Sequence, residues 1–411
     1  MAAPRSEGQL LLEFLQQKMY SHLGRLDEFG PQQSDVFDDE KEVARSIEEM
    51  LAKRAALVTP EELATLRTSL TAKIQRDRAM DLPTRFERRD DYLWMRYLAD
   101  EIEAAAQDLG MRIPVRPLLG TLPTGWPNGQ SRWVGAEYIV MFDSELFGFG
   151  LLLSQVVVLL MPLTRGNKGQ FSFSNDLSKI EASIDEKPEL VQRFCEVVLA
   201  YLMRGAPSAL TPPYELEEPY NSMAEVLHRS MALFLMAHEY GHIILGHHPN
   251  TGQLQGLFNS VLATSALDSS GEQKEMFRSW FQEHEADARA LTLTIRAMQL
   301  KGHDVAFSYW GVDFFLSCID IIEKGVALVR AGEESVNGSS DTHPSTQLRR
   351  GIVRDTLRGV LRRNGLSEGA AEAPIELGSC LEKTIAKLWA RLRPVLVGLH
   401  KEGRTVSPIW P

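Results

Sequence analysis

A long run of apolar side chains with helical spacing lies in the middle of the chain and ends in two histidines. Residues 223–242 read MAEVLHRSMALFLMAHEYGH, and their apolar residues recur at three- and four-residue steps. Ser222 and Glu225 have the spacing of a capping box, which predicts where this helix starts. His238 and His242 fall on the apolar stripe, so the fold has to bury two polar imidazoles against its core.

The spacing of the two histidines is that of a metal site on one helix. Side chains four residues apart lie one turn apart on the same side, so His238 and His242 can reach one cation. Glu239 leans toward the open side of the ion, where it can take a proton from an attacking water. Zinc lowers the pKa of such a water from about 15.7 to about 7. The alternative is a core helix with two hydrogen-bonded, buried histidines.

A catalytic zinc ion needs a third protein ligand. The segment FQEHEADARALTLTIRA at 281–297 is predicted to form a second helix, with Glu283 and Asp287 one turn apart on one face. We expect Glu283 to bind the ion and Asp287 to accept a hydrogen bond from a ligand imidazole. Glu285 should then point elsewhere, since residues two apart differ by about 200° around a helix. The alternative is an acidic face in solvent.

His248 is a second possible ligand, ten residues after the first histidine of the motif. That distance is typical of metzincins, whose pattern HExxHxxGxxH requires glycine at the position held here by Leu245. The glycine of this chain is Gly246, which we expect to loosen the helix before Pro249 ends it. These residues favour Glu283 over His248 as the third ligand.

The motifs HEYGHIILGH at 238–247 and EHEAD at 283–287 resemble those of gluzincin metallopeptidases, in which HExxH is followed by ExxxD. They are most similar to the heat-shock HtpX-type and prenyl-protein endopeptidase group, and DTHPSTQLRR at 341–350 resembles the HPxxxxR segment of that group. The resemblance covers about residues 130–365. Those relatives are commonly membrane proteins with clear hydrophobic spans, whereas this chain has at most one. The soluble regulatory zinc peptidases of the ImmA/IrrE type are the second resemblance.

The resemblance implies one zinc ion bound by His238, His242 and Glu283, with Glu239 as general base. Hydrolysis of peptide bonds in a protein or peptide substrate is then the expected reaction. A hydrolase of non-peptide amides or esters uses the same water-activating chemistry and stays open. The third possibility is a zincin-like protein that binds a partner without turnover, although the ligands alone would then hold a structural metal and Glu239 would have no role.

His343 and Arg349 complete the predicted site. The former carbonyl oxygen becomes negative during hydrolysis, and His343, just before a helix that begins at a proline, is the candidate donor to it. A surface role in helix capping is the alternative for His343, while Arg349 is expected to hold Asp287 by an ion pair. His247 and His284 are expected at the surface or beside the ligands. We interpret the arginines of the helix after His343 as a face in solvent: Arg349, Arg350, Arg354, Arg358, Arg362 and Arg363.

We predict a mostly α (α+β) fold with a zincin-like catalytic domain, in which an active-site helix lies against a small β-sheet. The segment RWVGAEYIVMF at 132–142 is the strongest strand signal, and we expect a substrate to lie along it. Thr59 and Glu62 predict a capping box within the first helices. The chain divides into an N-terminal helical region, a Pro- and Gly-rich linker, the catalytic domain and a C-terminal helical extension, at residues 1–112, 113–130, 131–365 and 366–411.

Composition and charge disfavour a nucleic-acid-binding protein and favour a cytoplasmic one. The net charge is 44 − 55 = −11, whereas nucleic-acid binding needs clustered Lys and Arg. The three cysteines lie far apart and form no CxxC pair, which indicates a reducing, cytoplasmic compartment. The segment at 146–163 carries no charge and approaches the lower length of a membrane span. It contains Ser154, Gln155 and Pro162 and follows a strand, so a buried core helix is the favoured interpretation.

Overall fold

A computed structural model describes residues 4–29, 40–54, 59–127, 129–165, 171–173, 176–207, 211, 215–247, 269–334 and 344–406. Within these ranges the fold is mostly helical with a small three-stranded sheet, which confirms the mostly α class. The chain divides into two compact units, Met1–Arg96 and Tyr97–Pro411, and each is described by itself. The zincin-like assignment stays a prediction.

The first unit is built from α1 (Glu7–His22), α2 (Glu40–Arg54), α3 (Pro60–Arg78) and the start of α4 (Arg89–Asp108). The capping box predicted for α3 is confirmed, because the Thr59 hydroxyl accepts from the N–H of Glu62 and the Glu62 carboxylate accepts from the N–H of Thr59. The buried apolar side chains of this unit come from α1, α2, the segment before α4 and the start of α4: Leu12, Tyr20, Ile47, Leu51, Phe86, Tyr92, Leu93 and Met95.

A three-stranded sheet lies in the second unit, with β1 (Leu118–Leu122), β2 (Gly129–Val134) and β3 (Glu137–Asp143) in the order β1-β3-β2. β1 runs parallel to β3 and β2 runs antiparallel to it, so β2 is an edge strand. The prediction of one strand over 132–142 is wrong, because Gly135 turns the chain in a left-handed conformation at φ 59° and makes a hairpin. β1 and the first two residues of β2 lie within the predicted linker 113–130, and β1 pairs with β3, which follows the linker.

Helices form most of the rest of the second unit: α5 (Leu146–Leu160), α6 (Leu177–Glu186), α7 (Pro188–Arg204), α8 (Tyr220–Leu245), α9 (Ser269–Leu300), α10 (Val305–Ala331), α11 (Thr346–Arg363) and α12 (Glu372–Lys401). A short hairpin of β4 (Leu163–Arg165) and β5 (Phe171–Phe173) follows α5. The interpretation of 146–163 as a buried core helix is confirmed, because α5 is buried along nearly its whole length and packs against α7 and α8. None of the described helices combines the length and the apolar composition needed to cross a membrane.

α8 is the central helix of the second unit and contacts α5, α9, α10 and β2. Residues 230–241 are all buried, so this part of α8 has no face in solvent. The capping box predicted at Ser222 is wrong, because α8 begins two residues earlier and the Ser222 hydroxyl donates to Glu218 instead. Gly246 does more than loosen the helix, since it adopts a left-handed conformation at φ 67° and ends α8.

The C-terminal helices close the second unit around α10. α12 packs along α10, and α11 lies against both α9 and α10, so the predicted extension 366–411 contributes α12 to this same unit. Arg350 of α11 is buried, with its Nε 2.6 Å from Asp313 Oδ1 of α10 and its Nη1 3.1 Å from Glu382 Oε1 of α12. This ion pair network joins three helices, and the removal of one partner would leave a buried charge without compensation.

Candidate metal centre

Three side chains from two helices converge near the C-terminal end of α8. The Nε2 atoms of His238 and His242 lie 3.2 Å apart. Glu283 of α9 places Oε2 at 3.3 Å from His238 Nε2 and Oε1 at 3.3 Å from His242 Nε2. Ligand atoms about 2.0–2.1 Å from a tetrahedral zinc ion are separated from one another by about 3.3–3.4 Å. One ligand atom from each of the three side chains lies within 4.8 Å of the others, so the group could hold a metal ion.

The surroundings of these side chains favour a positive charge. His238 and Glu283 are buried, and His242 is partly buried. Burial lowers the pKa of His238, but the hydrogen bonds and charges of Asp287 and Glu283 outweigh that effect and raise it to about 10. The carboxylates thus stabilise a cation here, either a proton on the imidazole or a metal ion between the ligand atoms. Imidazole nitrogens with a carboxylate oxygen are a donor set that zinc accepts.

Asp287 lies behind His238 and is fully buried. The Nδ1 of His238 lies 2.9 Å from Asp287 Oδ1. Arg349 of α11 donates twice to the same carboxylate, from Nε at 2.8 Å and from Nη2 at 2.7 Å. Burial raises the pKa of Asp287, but Arg349 and His238 outweigh it and lower the pKa to about 2. The ionised carboxylate can therefore hold the Nδ1–H of His238, which turns Nε2 toward the other ligand atoms.

The helices that carry the ligand atoms approach each other closely at Gly241. A Cβ atom built on Gly241 would lie 3.0 Å from the carbonyl oxygen of Ala286 and 3.2 Å from its Cα. A side chain at this position would push α9 away from α8, because both contacts are with backbone atoms. The glycine inside HEYGH therefore allows Glu283 of α9 to reach the two histidines of α8.

Glu239 is a buried residue of α8, at the side of the helix that contacts the edge strand β2. A Cβ atom built on Gly129 would lie 2.8 Å from Glu239 Oε1, so the carboxylate lies against the first residue of β2. The glycine leaves room there for the carboxylate oxygen. Glu239 follows the candidate ligand His238 and lies beside β2. Its carboxylate can therefore exchange protons with a group that is bound along this strand.

His247 folds back onto His242 after α8 ends at Gly246. The N–H of His247 donates to the carbonyl of His242 at 3.0 Å, which is the return bond of a Schellman-type helix end. The two Nδ1 atoms lie 3.0 Å apart, and Nε2 of His247 lies 3.3 Å from Glu285 Oε2. The sequence did not predict whether His247 lies at the surface or beside the ligands, and it did not predict which residue Glu285 contacts. The signal that could have located both is Gly246, since a left-handed residue returns the next side chain to the last turn.

His343 and the alternative ligand His248 lie outside the residues that the structure describes.

The interpretation of the arginines of α11 as a face in solvent is wrong for Arg349 and Arg350, because both are buried against carboxylates. Two further arginines of this helix, Arg354 and Arg358, pair with Glu382 and Glu372. At least four of the six arginines are therefore paired with carboxylates of the protein, and the pairs of Arg349 and Arg350 are the buried ones.

Comparison with known proteins adds no assignment to this geometry. The chain matches no family model, no curated protein and no solved structure. What the site can do follows from its own residues: two imidazoles and one carboxylate that can hold a divalent cation, and a second carboxylate next to them that can transfer a proton.

Proposed function

We propose that the protein is a zinc-dependent endopeptidase of the gluzincin type, which hydrolyses peptide bonds in a protein substrate. The observation that carries the proposal is the convergence of His238, His242 and Glu283, whose closest ligand atoms are 3.2–3.3 Å apart, close to the separation of ligands around tetrahedral zinc. Three protein ligands leave a fourth position for water or substrate, which is characteristic of catalytic rather than structural zinc sites.

The proposed mechanism assigns a separate task to each surrounding side chain. Bound zinc would supply a Lewis acid that lowers the pKa of a water to about 7 and polarises a carbonyl. Glu239 accepts the proton that the attacking water loses and returns it to the nitrogen of the leaving amine. Asp287, itself held by Arg349, keeps His238 in one orientation throughout. His343 stays the proposed donor to the negative charge that develops on the former carbonyl oxygen.

The edge strand β2 supports a protein or peptide as the substrate. An edge strand presents backbone N–H and C=O groups that can pair with an extended peptide of any sequence. β2 begins at Gly129, beside the carboxylate of Glu239. A peptide paired with β2 would pass the proposed general base, so main-chain pairing would supply affinity close to the reacting bond.

We also propose that the enzyme acts in the cytoplasm and not on nucleic acid. The three cysteines, Cys195, Cys318 and Cys380, are free, as expected in a reducing compartment. The net charge of −11 disfavours binding to phosphate backbones.

The test compares the native protein with Glu239→Gln, which keeps the shape of the side chain and removes the base. Both proteins should hold one zinc ion, while the variant should lose about 10²- to 10⁴-fold in cleavage rate. Each is incubated with a cell proteome, new N-termini are quantified by mass spectrometry, and zinc is measured by elemental analysis. Glu225→Gln, an exposed change on the same helix, is the matched control and should behave as native.

Each alternative has its own outcome in this comparison. Equal numbers of new N-termini from the native protein and Glu239→Gln would contradict the proposal. Glu239-dependent hydrolysis of small amides or esters without new N-termini would identify a non-peptide hydrolase instead. Zinc binding with no Glu239-dependent turnover of any kind would identify a regulatory binding protein.

A further inference from the structure

We infer that His247 and Glu285 form a hydrogen-bond relay that positions the ligand His242, so that His247 is a positioning residue of the site. The inference rests on the proposed function, because it takes His242 as a ligand of zinc. It assigns a task to two side chains that the mechanism above does not use.

The backbone brings the two rings of the relay together. Gly246 at φ 67° and ψ 35° reverses the chain, and the N–H of His247 donates to the carbonyl of His242 at 3.0 Å. The ring centroids are 5.1 Å apart with an interplanar angle of 69°, so the rings meet edge to face rather than stacked. The side chain of His247 is only 8% exposed, so water competes little for this contact.

The hydrogen bonds of the relay can be satisfied in only one direction when His242 binds zinc through Nε2. Its proton is then on Nδ1, which becomes a donor. The Nδ1 of His247, 3.0 Å away, has to accept that hydrogen bond, which places the proton of His247 on Nε2. This Nε2 lies 3.3 Å from Glu285 Oε2, a carboxylate oxygen that can only accept. Each nitrogen or oxygen atom of the relay is therefore either a donor or an acceptor, which determines the tautomer of both histidines.

The relay means that α9 supports both histidine ligands. Asp287 accepts directly from His238, and Glu285 reaches His242 through His247. The two supports differ in burial, since the side chain of Glu285 is 41% exposed whereas that of Asp287 is fully buried. We therefore expect Glu285 to contribute less to zinc binding than His247.

The test measures zinc dissociation constants by competition with a fluorescent chelator. His247→Ala should weaken zinc binding by about 10- to 100-fold, as loss of an outer hydrogen-bond partner of a ligand does. His247→Asn places an amide oxygen at the position of Nδ1, where it can accept from Nδ1 of His242, so it should restore part of the affinity. Glu285→Ala should cause a smaller loss than His247→Ala, and Glu285→Gln should stay near native because its amide oxygen still accepts.

His284→Ala is the matched control, because His284 lies on α9 beside Glu283 but is not in the relay. Thermal unfolding of each metal-free variant verifies the fold, and if His247→Ala does not fold, His247→Asn and Glu285→Ala decide the matter. Native affinity in His247→Ala, or no recovery in His247→Asn when both fold, would overturn the relay alone. A native protein that binds no zinc would overturn the proposed function and the relay together.

Discussion

Asp287 contacts both a candidate ligand on α8 and a buried arginine on α11. Its carboxylate accepts from His238 of α8 and from Arg349 of α11, and it is fully buried. An ionised carboxylate in the interior costs several kcal/mol unless charges and hydrogen bonds compensate for it. The two nitrogens of Arg349 provide that compensation in a bidentate pair, which is the strongest geometry for such a contact.

Replacement of Asp287 by Asn should weaken both fold and metal site. Arg349 would remain buried without its charged partner, so the free energy of unfolding should fall by about 3–5 kcal/mol. Zinc affinity should fall by about 10- to 100-fold, because the amide holds the imidazole of His238 less firmly. Denaturant unfolding and chelator competition measure the two effects.

Asp355→Asn is the control for this change, since Asp355 is on α11 with 80% of its side chain exposed. It should alter stability by no more than about 0.5 kcal/mol. Native stability together with native zinc affinity in Asp287→Asn would show that the buried pair does not support the ligand.

At the scale of elements, the site depends on how closely α8 and α9 can lie. Gly241 removes the side chain that would separate them, and α5, α10 and β2 surround α8 on its other sides. The helices that carry the ligands are therefore held by packing against neighbouring elements as well as by the ligand contacts.

Gly241→Ala should separate the two helices and loosen the ligand set. The added Cβ would contact the backbone of Ala286 at 3.0 Å, so we expect a loss of about 1–3 kcal/mol in unfolding free energy, with weaker zinc binding. Gly351→Ala on α11 meets nothing within 4 Å and should instead gain about 0.5–1 kcal/mol, as alanine favours a helix. Calorimetry and chelator competition on both variants test this, and equal effects of the two substitutions would contradict the close-packing argument.

The sequence predicts elements well where the determinant is local. The helix α8 was predicted from the spacing of its own apolar residues, and the start of α3 was predicted from Thr59 and Glu62, which are three residues apart. The prediction failed at Ser222 because Glu218, outside the expected helix, is the partner of its hydroxyl. It missed β1 because this strand pairs with β3, from which β2 separates it in sequence, and no local pattern reports such a pairing.

At the scale of the whole molecule, the site draws on parts of the chain that are far apart in sequence. Helical geometry relates His238 to His242 and Glu283 to Asp287, and the resemblance to the HExxH and ExxxD motifs then joins the two helices into one proposed ligand set. The contact between His247 and Glu285 was not predictable in the same way, since it depends on the left-handed turn at Gly246. The pair of Arg349 with Asp287 was expected, but the buried pair of Arg350 with Asp313 was missed, because charge alone suggests solvent exposure.

X-ray absorption at the zinc K-edge of the purified native protein tests the central claim most directly. We predict one zinc ion per chain, with nitrogen and oxygen ligands at about 2.0–2.2 Å, the scattering of two imidazoles and no sulfur shell. Glu283→Ala, which removes the carboxylate ligand, should bind zinc far more weakly. A sulfur shell at about 2.3 Å, or a native protein that holds no zinc when zinc is supplied, would contradict the account.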